Sequence, residues 1–427
     1  TLLGIGIIIG AGIFILTGVA AAIKAGPAIC FSYIIAGLAA LFTALSYAEL
    51  SASIGGSGSA YNYAYSSFGE LIAWFVAWAL ILEYAMAMAT VAVGWAAYVN
   101  NLLQSLHIHF PQSLANSPFA GGIINLPAVL IIALLAVLLC IGTKQSAIFN
   151  AIIVCIKLAT IALFIIVAAG HVQVHNWDNF FPFGINGVTK GAAFIFFAYL
   201  GFDALSTTAE ESINPQRDLP IGIILSLFIC TVIYIIVAIL LTGIVPYTTL
   251  NVASPVADAL LRIGYPTIAG IISVGAIAGL TTVILVLYYG LTRILFAMSR
   301  DNLLPPWLSK IHPQTKTPIS VILFLGIIIA SVAGLVPITD LAELVNIGTL
   351  TAFLFACGGV MLLRWKQPHL PRPFKLPWNP LIPLCGMLFC SYLIINLSGV
   401  TWQRFLIWMI IGSIVYFSYS KNHSLLK

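Results

Sequence analysis

Glycine stands at positions 4, 6, 10, 12 and 18 of an otherwise apolar opening stretch, Gly4-Ile5-Gly6-Ile7-Ile8-Ile9-Gly10-Ala11-Gly12-Ile13-Phe14-Ile15-Leu16-Thr17-Gly18. Glycine weakens a helix and lets backbone approach a ligand closely. At Gly10-Ala11-Gly12 the side chains nearly vanish, and the stretch reads as a helix that breaks there and resumes at Ile13. In lipid a break is tolerated only where the freed N–H and C=O groups face protein, water or a ligand. The resuming half-helix turns its positive N-terminus into the gap, which suits a carboxylate. A small-residue stripe for helix packing is the competing reading.

A second glycine interruption lies at Ala198-Tyr199-Leu200-Gly201-Phe202, with Asp203 directly after it. Glu83, Lys157 and Asp203 fall well inside apolar runs, where a charge is expensive and usually has a partner. Each reads as a functional group or as one half of a structural pair. Asp203 reads equally as a cap on the second half-helix, since an acid at a helix N-terminus is stabilising. Glu83 reads as a cavity or proton-relay residue. Glu210, Glu211, Arg217 and Asp218 cluster just beyond, around the turn-forming pair Asn214-Pro215. That cluster, with Glu49, reads as a salt-bridge latch on the cytoplasmic side.

The elements that must position these residues follow from composition. Of 427 residues, 61% are hydrophobic and 7% charged, and the mean hydropathy is +1.09. Many apolar runs of about 20 residues call for an all-α polytopic membrane protein. Twelve spans are expected, at 2–24, 27–54, 68–101, 123–141, 147–170, 187–211, 219–245, 267–298, 318–336, 341–364, 380–399 and 401–420. Lys and Arg divide twelve to four between the two sides, with Lys157 buried, which places both termini in the cytoplasm of a cell (plasma or inner) membrane. The net charge of +5 then needs no nucleic-acid partner. No cleavable signal peptide is visible, and a cytoplasmic segment ahead of Thr1 is an open expectation. The seven cysteines lie in or beside apolar runs without CxxC spacing, so small apolar filler is favoured over a disulfide framework or a zinc site. His107 and His109 read as surface histidines, with no metal expected. Tyr61, Tyr63 and Tyr65 after Gly55-Gly56-Ser57-Gly58-Ser59 suggest an interfacial or partly re-entrant segment, and Trp307 anchors the stretch 299–317.

The two interruptions lie five spans apart. An odd offset reverses orientation, as an inverted repeat of 1–170 (spans 1–5) and 187–364 (spans 6–10) requires, with 380–420 appended. Paired interrupted helices point to a transporter's midplane site.

Residues 4–18, Phe196-Phe197-Ala198-Tyr199-Leu200-Gly201-Phe202-Asp203 and Ala209-Glu210-Glu211-Ser212-Ile213-Asn214-Pro215-Gln216-Arg217-Asp218-Leu219-Pro220 together resemble the amino acid–polyamine–organocation (APC) superfamily. The chain looks most like its cationic amino acid transporter family and bacterial members of it. Tyr47-Ala48-Glu49-Leu50, Leu82-Glu83-Tyr84, Lys157 and Thr292-Arg293 through Asp301 extend the resemblance over nearly the whole chain. It implies a LeuT-like fold: 12 transmembrane helices, a 5+5 inverted repeat with discontinuous helices 1 and 6, and two extra C-terminal helices. It also implies alternating access. An L-amino acid would bind between spans 1 and 6, its carboxylate at N–H groups around Ile8, Ala11 and Gly12, its ammonium at carbonyls around Phe197, Ala198 and Leu200. Phe202 would be a gate, with core packing an equal alternative.

A lysine in span 5 is a feature of that family, and Lys157 matches it. Its ammonium could reach carbonyls around Gly4 to Ile7 where sodium-coupled relatives hold a cation. Transport is therefore expected to be sodium-independent, and proton coupling through Lys157 is physically reasonable. The implied partners are a small-molecule L-amino acid, protons and the lipid bilayer, with a small membrane subunit left open; no cofactor is implied. Nothing resembles a channel's selectivity filter, and no H-E-x-x-H motif or intramembrane Ser-His pair suggests an enzyme. The expected activity is secondary active L-amino acid transport, with a neutral substrate preferred. The alternative is an amino acid or polyamine exchanger with cationic amino acids as substrate.

Overall fold

The computed structural model describes residues 2–54, 60–108, 110–142, 147–203 and 214–424. Every regular element among them is helical. Lipid dictates this, because a helix satisfies its backbone groups within its own segment. Seven helical runs are long and apolar enough to cross a membrane: Gly12–Ile54, Glu70–Gln104, Ala151–Ala169, Arg217–Ile244, Pro266–Arg300, Ile338–Lys366 and Gly399–His423. Leu126–Ile141, Ile319–Leu335 and Leu381–Ile395 are shorter apolar helices.

The first expected span is divided. α1 (Leu2–Ile8) stops, Ile9 and Gly10 bend, and winding resumes through a π-helical turn Gly12–Leu16, α2 (Thr17–Ala20) and a second π-helical turn Ala21–Ala25. A corner follows at Gly26, whose φ of +65° suits glycine. Next come α3 (Ile29–Ile54), α4 (Ala60–Phe68), α5 (Glu70–Ser105), α6 (Gln112–Ala115), α7 (Leu126–Ile141), α8 (Ala147–Ala169) and α9 (Gly184–Ile195). After the second interruption stand α10 (Pro215–Ile244), α11 (Pro255–Arg262), α12 (Pro266–Arg300), α13 (Ile319–Leu335), α14 (Ile338–Lys366), α15 (Leu381–Ile395) and α16 (Gly399–Val415).

The helix ends follow local chemistry. Asn125 caps α7 by accepting from Ala128 N at 3.3 Å, and Gly142 closes it in the left-handed region. Prolines open α10, α11 and α12, where a missing N–H costs nothing. α5 is the central post and packs most extensively on α12 and α14, while α3 packs on α10. α16 is joined to α5 by indoles. Trp74 Nε1 donates to Gly412 O at 3.0 Å, Trp78 Nε1 to Trp408 O at 2.8 Å, and Trp408 Nε1 to Trp78 O at 2.9 Å. Tyr61, Tyr63 and Tyr65 fall on the short helix α4, and Tyr61 donates to Asp301 at 2.9 Å, tying α4 to the end of α12. Gly55 to Ser59, His109, Glu210 and Glu211 lie outside the described residues.

Candidate functional site

The two interruptions meet. After α9 a 3-10 turn runs over Phe196–Tyr199, Leu200 leaves helical space (ψ 140°), and Gly201 takes φ +106°. Gly12 lies flat on Ala198, so close that a Cβ on Gly12 would collide with the Ala198 Cα and Cβ. A Cβ on Gly201 would come within 2.5 Å of Ile7 Cγ2, so the second break also leans on the first. The bend at Ile9-Gly10 and the resumption at Gly12 differ by one residue from the expected break.

A narrow cavity opens where they cross. Ile8, Ala11, Gly12, Phe197 and Leu200 line it, together with Gly6, Ile7, Gly10 and Gly201. Ala198 does not line it; it backs Gly12 instead. Thr282, Val283, Val286 and Leu287 of α12 complete the wall, and sequence reading missed this whole face. Its signal was present in the small-residue spacing Gly275, Gly279 followed by Thr281-Thr282 in an otherwise apolar helix. Thr282 is the one polar side chain on the wall among the described residues, and its hydroxyl donates to Gly279 O at 2.8 Å. The wall is therefore aliphatic and aromatic, and the polar groups available there are backbone groups of the two breaks. Helix N-terminal N–H groups lack intrahelical acceptors, and anions suit them.

Side chains from other helices answer the carbonyls that the breaks release. Lys157 on α8 is buried, and its Nζ donates to Gly6 O at 2.8 Å and to Ile9 O at 3.1 Å. The reach is thus to Gly6 and, beyond the expected range, to Ile9. Tyr98 OH donates to Phe14 O at 2.6 Å. Tyr234 on α10 lies within hydrogen-bond distance of Ile8 O (2.8 Å) and Ala198 O (2.9 Å), one from each break. Sequence reading missed Tyr234, whose only mark was a phenol within an apolar run.

The residues expected to gate or line the cavity sit elsewhere. Phe202 is fully buried against Tyr47 and Phe353, with ring centroids 5.7 and 4.8 Å away, and does not line the cavity. Packing fixes that ring. Asp203 Oδ1 accepts from Gly201 N at 3.2 Å and Oδ2 from Tyr84 OH at 3.3 Å, so it braces the second break from behind. Glu83 is fully buried beside Gly348 of α14, and neither carboxyl oxygen has a hydrogen-bond partner of good geometry among the described residues. None of the three touches the cavity.

Glu49, expected to form a latch with Arg217 and its neighbours, is paired elsewhere. Glu49 binds Arg364 through two hydrogen bonds, Nε to Oε1 at 2.7 Å and Nη2 to Oε2. Arg372 Nε stands 3.5 Å from Oε1, and Leu376 N donates to Oε2 at 2.8 Å. The fork of Arg364 matches a carboxylate in shape, which explains the choice. Arg217 and Asp218 are exposed and have no ion pair among the described residues. At the opposite end, Lys24 Nζ donates to Glu343 Oε1 at 3.1 Å, while Ser398 and Thr401 both donate to Oε2 at 2.5 Å.

The amino acid permease family matches residues 1–416 of this chain. The chain is 49% identical over 429 residues to the methylthioribose transporter of Bacillus subtilis (strain 168), covering all of this chain and 93% of that one. It is also 49% identical over 432 residues to the branched-chain amino acid permease BcaP of the same organism, with the same coverage. A vacuolar cationic amino acid transporter 4 of Arabidopsis thaliana is 31% identical over 548 residues, covering all of this chain and 91% of the plant protein.

Proposed function

This chain belongs to the amino acid permease family of the APC superfamily, and on that premise we propose that it carries neutral L-amino acids with aliphatic side chains. The cavity carries the reading. Apart from the Thr282 hydroxyl, its polar groups are backbone groups at two helix breaks, suited to a zwitterionic head group, and among the described residues no acidic side chain lines it to receive a cationic one. A buried ammonium or guanidinium without a partner is strongly disfavoured. The branched-chain permease relative supports the same substrate class. Cationic substrates, the alternative, fit this wall poorly.

Alternating access is the mechanism we assign, on a twelve-helix, five-plus-five arrangement with the broken helices at its centre. In this reading Lys24–Glu343 bars the outer end and Glu49–Arg364–Arg372 the inner end. Lys157 takes the place of a coupling cation, giving sodium-independent, proton-coupled uptake into the cell with both termini cytoplasmic. A thermal-shift screen of the purified protein against the twenty L-amino acids and methylthioribose tests the substrate, because a ligand that binds only the folded state raises its melting temperature. Leucine, isoleucine or valine should give the largest shifts. A shift with arginine or lysine alone, or with methylthioribose alone, overturns the reading.

The inner closure gives a second expectation. Arg364→Ala leaves Glu49 with Arg372 and the Leu376 N–H, and should raise the labelling rate of a cysteine introduced at Leu287 by a membrane-impermeant thiol reagent applied from the inside. Arg217→Ala, at an exposed position, should change it little. Equal labelling in Arg364→Ala and the parent would mean that this ion pair does not hold the inner end shut.

A further inference from the structure

The last two helices bring hydroxyl groups to the outer ion pair. Ser398 and Thr401 stand at the corner where α15 gives way to α16. Ser398 caps α16, its Oγ accepting from Thr401 N at 3.3 Å. Capping uses a lone pair and leaves the hydroxyl proton free to donate. That proton goes to Glu343 Oε2 on α14, and Thr401 gives its own to the same oxygen, each at 2.5 Å. The other oxygen receives Lys24 Nζ at 3.1 Å. Thr401 is buried and the Glu343 side chain is 14% exposed, so water has little part in holding the carboxylate.

The partners of Glu343 differ in what they are attached to. Ser398 and Thr401 open α16, which the indoles of Trp74, Trp78 and Trp408 clasp to the central post α5. Lys24 lies in the π-helical turn beyond the first break, and its ammonium stands 5.8 Å from the ring centre of Phe194 on α9, the helix that leads into the second break. Lys24 thus ties the carboxylate to the two broken segments, and the hydroxyls tie it to the frame. The same corner meets α9 directly, where Thr189 Oγ1 donates to Asn396 Oδ1 at 3.3 Å. When Lys24 withdraws, a carboxylate with no other donor would turn to find one. Two hydroxyls keep it aimed at the place to which Lys24 returns, because hydrogen bonds to an ionised acceptor are stronger than neutral ones.

Resting on the reading that Lys24–Glu343 bars the outer end, we propose that Ser398 and Thr401 are positioning residues for that closure. They fix the carboxylate on the frame, and Lys24 makes and breaks its bond against a target that stays in place. The corner between the two C-terminal helices is then the stationary half of the outer closure. Arg404–Asp340 beside it is a different case. Those side chains are 40% and 39% exposed, and an exposed ion pair contributes little.

The test reads how fast a membrane-impermeant thiol reagent, applied from outside, labels a cysteine introduced at Val283 on the cavity wall. Ser398→Gly/Thr401→Val deletes both hydroxyls, and glycine still serves as an N-cap. The pair of substitutions should raise outside labelling about tenfold, as the loss of a hydrogen bond to a charged group implies, and leave labelling from inside within about twofold. A merely structural role would raise both, and that result overturns the proposal. Ser398→Thr/Thr401→Ser keeps both hydroxyls and should label like the parent; labelling as fast as in the hydroxyl deletion overturns the proposal too. Arg404→Ala is the control and should stay within about twofold. In a Lys24→Met background the hydroxyl deletion should add nothing, because the hydroxyls act through that bond, and a further rise of about tenfold overturns the proposal. Should the double variant not purify, Thr401→Val alone keeps the cap and should still raise outside labelling about threefold; an unchanged rate overturns the proposal. The two readings fail differently. No rise in Lys24→Met removes the outer closure itself, whereas a rise in Lys24→Met with none in the hydroxyl deletion keeps the closure and removes Ser398 and Thr401 from it.

Discussion

Gly12→Leu should abolish amino acid binding, and Gly12→Ala should weaken it about a hundredfold, roughly 2.8 kcal/mol at 1.4 kcal/mol per factor of ten. Even a methyl group at Gly12 meets the Cα and Cβ of Ala198, and backbone is the neighbour least able to yield. The two breaks must then part, and the N–H groups of one no longer face the carbonyls of the other across the cavity. Overpacking of this kind costs about 1–3 kcal/mol in stability as well, so the melting temperature without ligand should fall for both variants. Gly170→Ala is the control, because a Cβ there meets nothing closer than Val167 O at 3.8 Å. Binding and melting are read on the same purified samples. Normal leucine affinity in Gly12→Ala would remove the crossing of the breaks from the binding site.

The second large effect is at Lys157. Lys157→Met leaves Gly6 O and Ile9 O without their donor in a buried setting, and each unpaired acceptor costs about 1–3 kcal/mol. The first break loses its brace, and uptake into proteoliposomes should fall below detection. Wild-type uptake should be the same in sodium and in choline buffers, because the ammonium already occupies the carbonyls that a cation would take. Sodium-dependent uptake by wild type would displace Lys157 from that role. Lys157→Arg separates proton carrier from fixed strut, since arginine stays charged at every accessible pH. If lysine carries the proton, Lys157→Arg exchanges substrate across the membrane yet does not concentrate it under an imposed pH gradient. Concentrative uptake by Lys157→Arg would transfer the proton to Glu83, a buried carboxyl with no hydrogen-bond partner of good geometry among the described residues.

By itself the sequence determined what local composition and spacing can encode. Long apolar runs require helices in lipid, and seven crossing-length runs overlap expected spans with bounds shifted by a few residues, the first of them covering two spans. The glycines at 10, 12 and 201 mark both breaks, since a missing Cβ is a local property. Lys157 could be marked because a lone amine in an apolar run must find acceptors, while its pairing with the first break was implied by the family resemblance. Partner choice was beyond reach of spacing. Glu49 lies 315 residues before Arg364, and only the fold brings that guanidinium to its carboxylate. Phe202 has the ring of a gate and Glu83 the carboxyl of a cavity residue, yet the fold turns one into an aromatic cluster and the other against α14. The wall formed by Thr282, Val283, Val286 and Leu287 reads as ordinary membrane helix until α12 is set against the breaks. Tyr234 gains its meaning in the same way, because a phenol can bridge two carbonyls only after folding has carried Ile8 and Ala198 to the same spot.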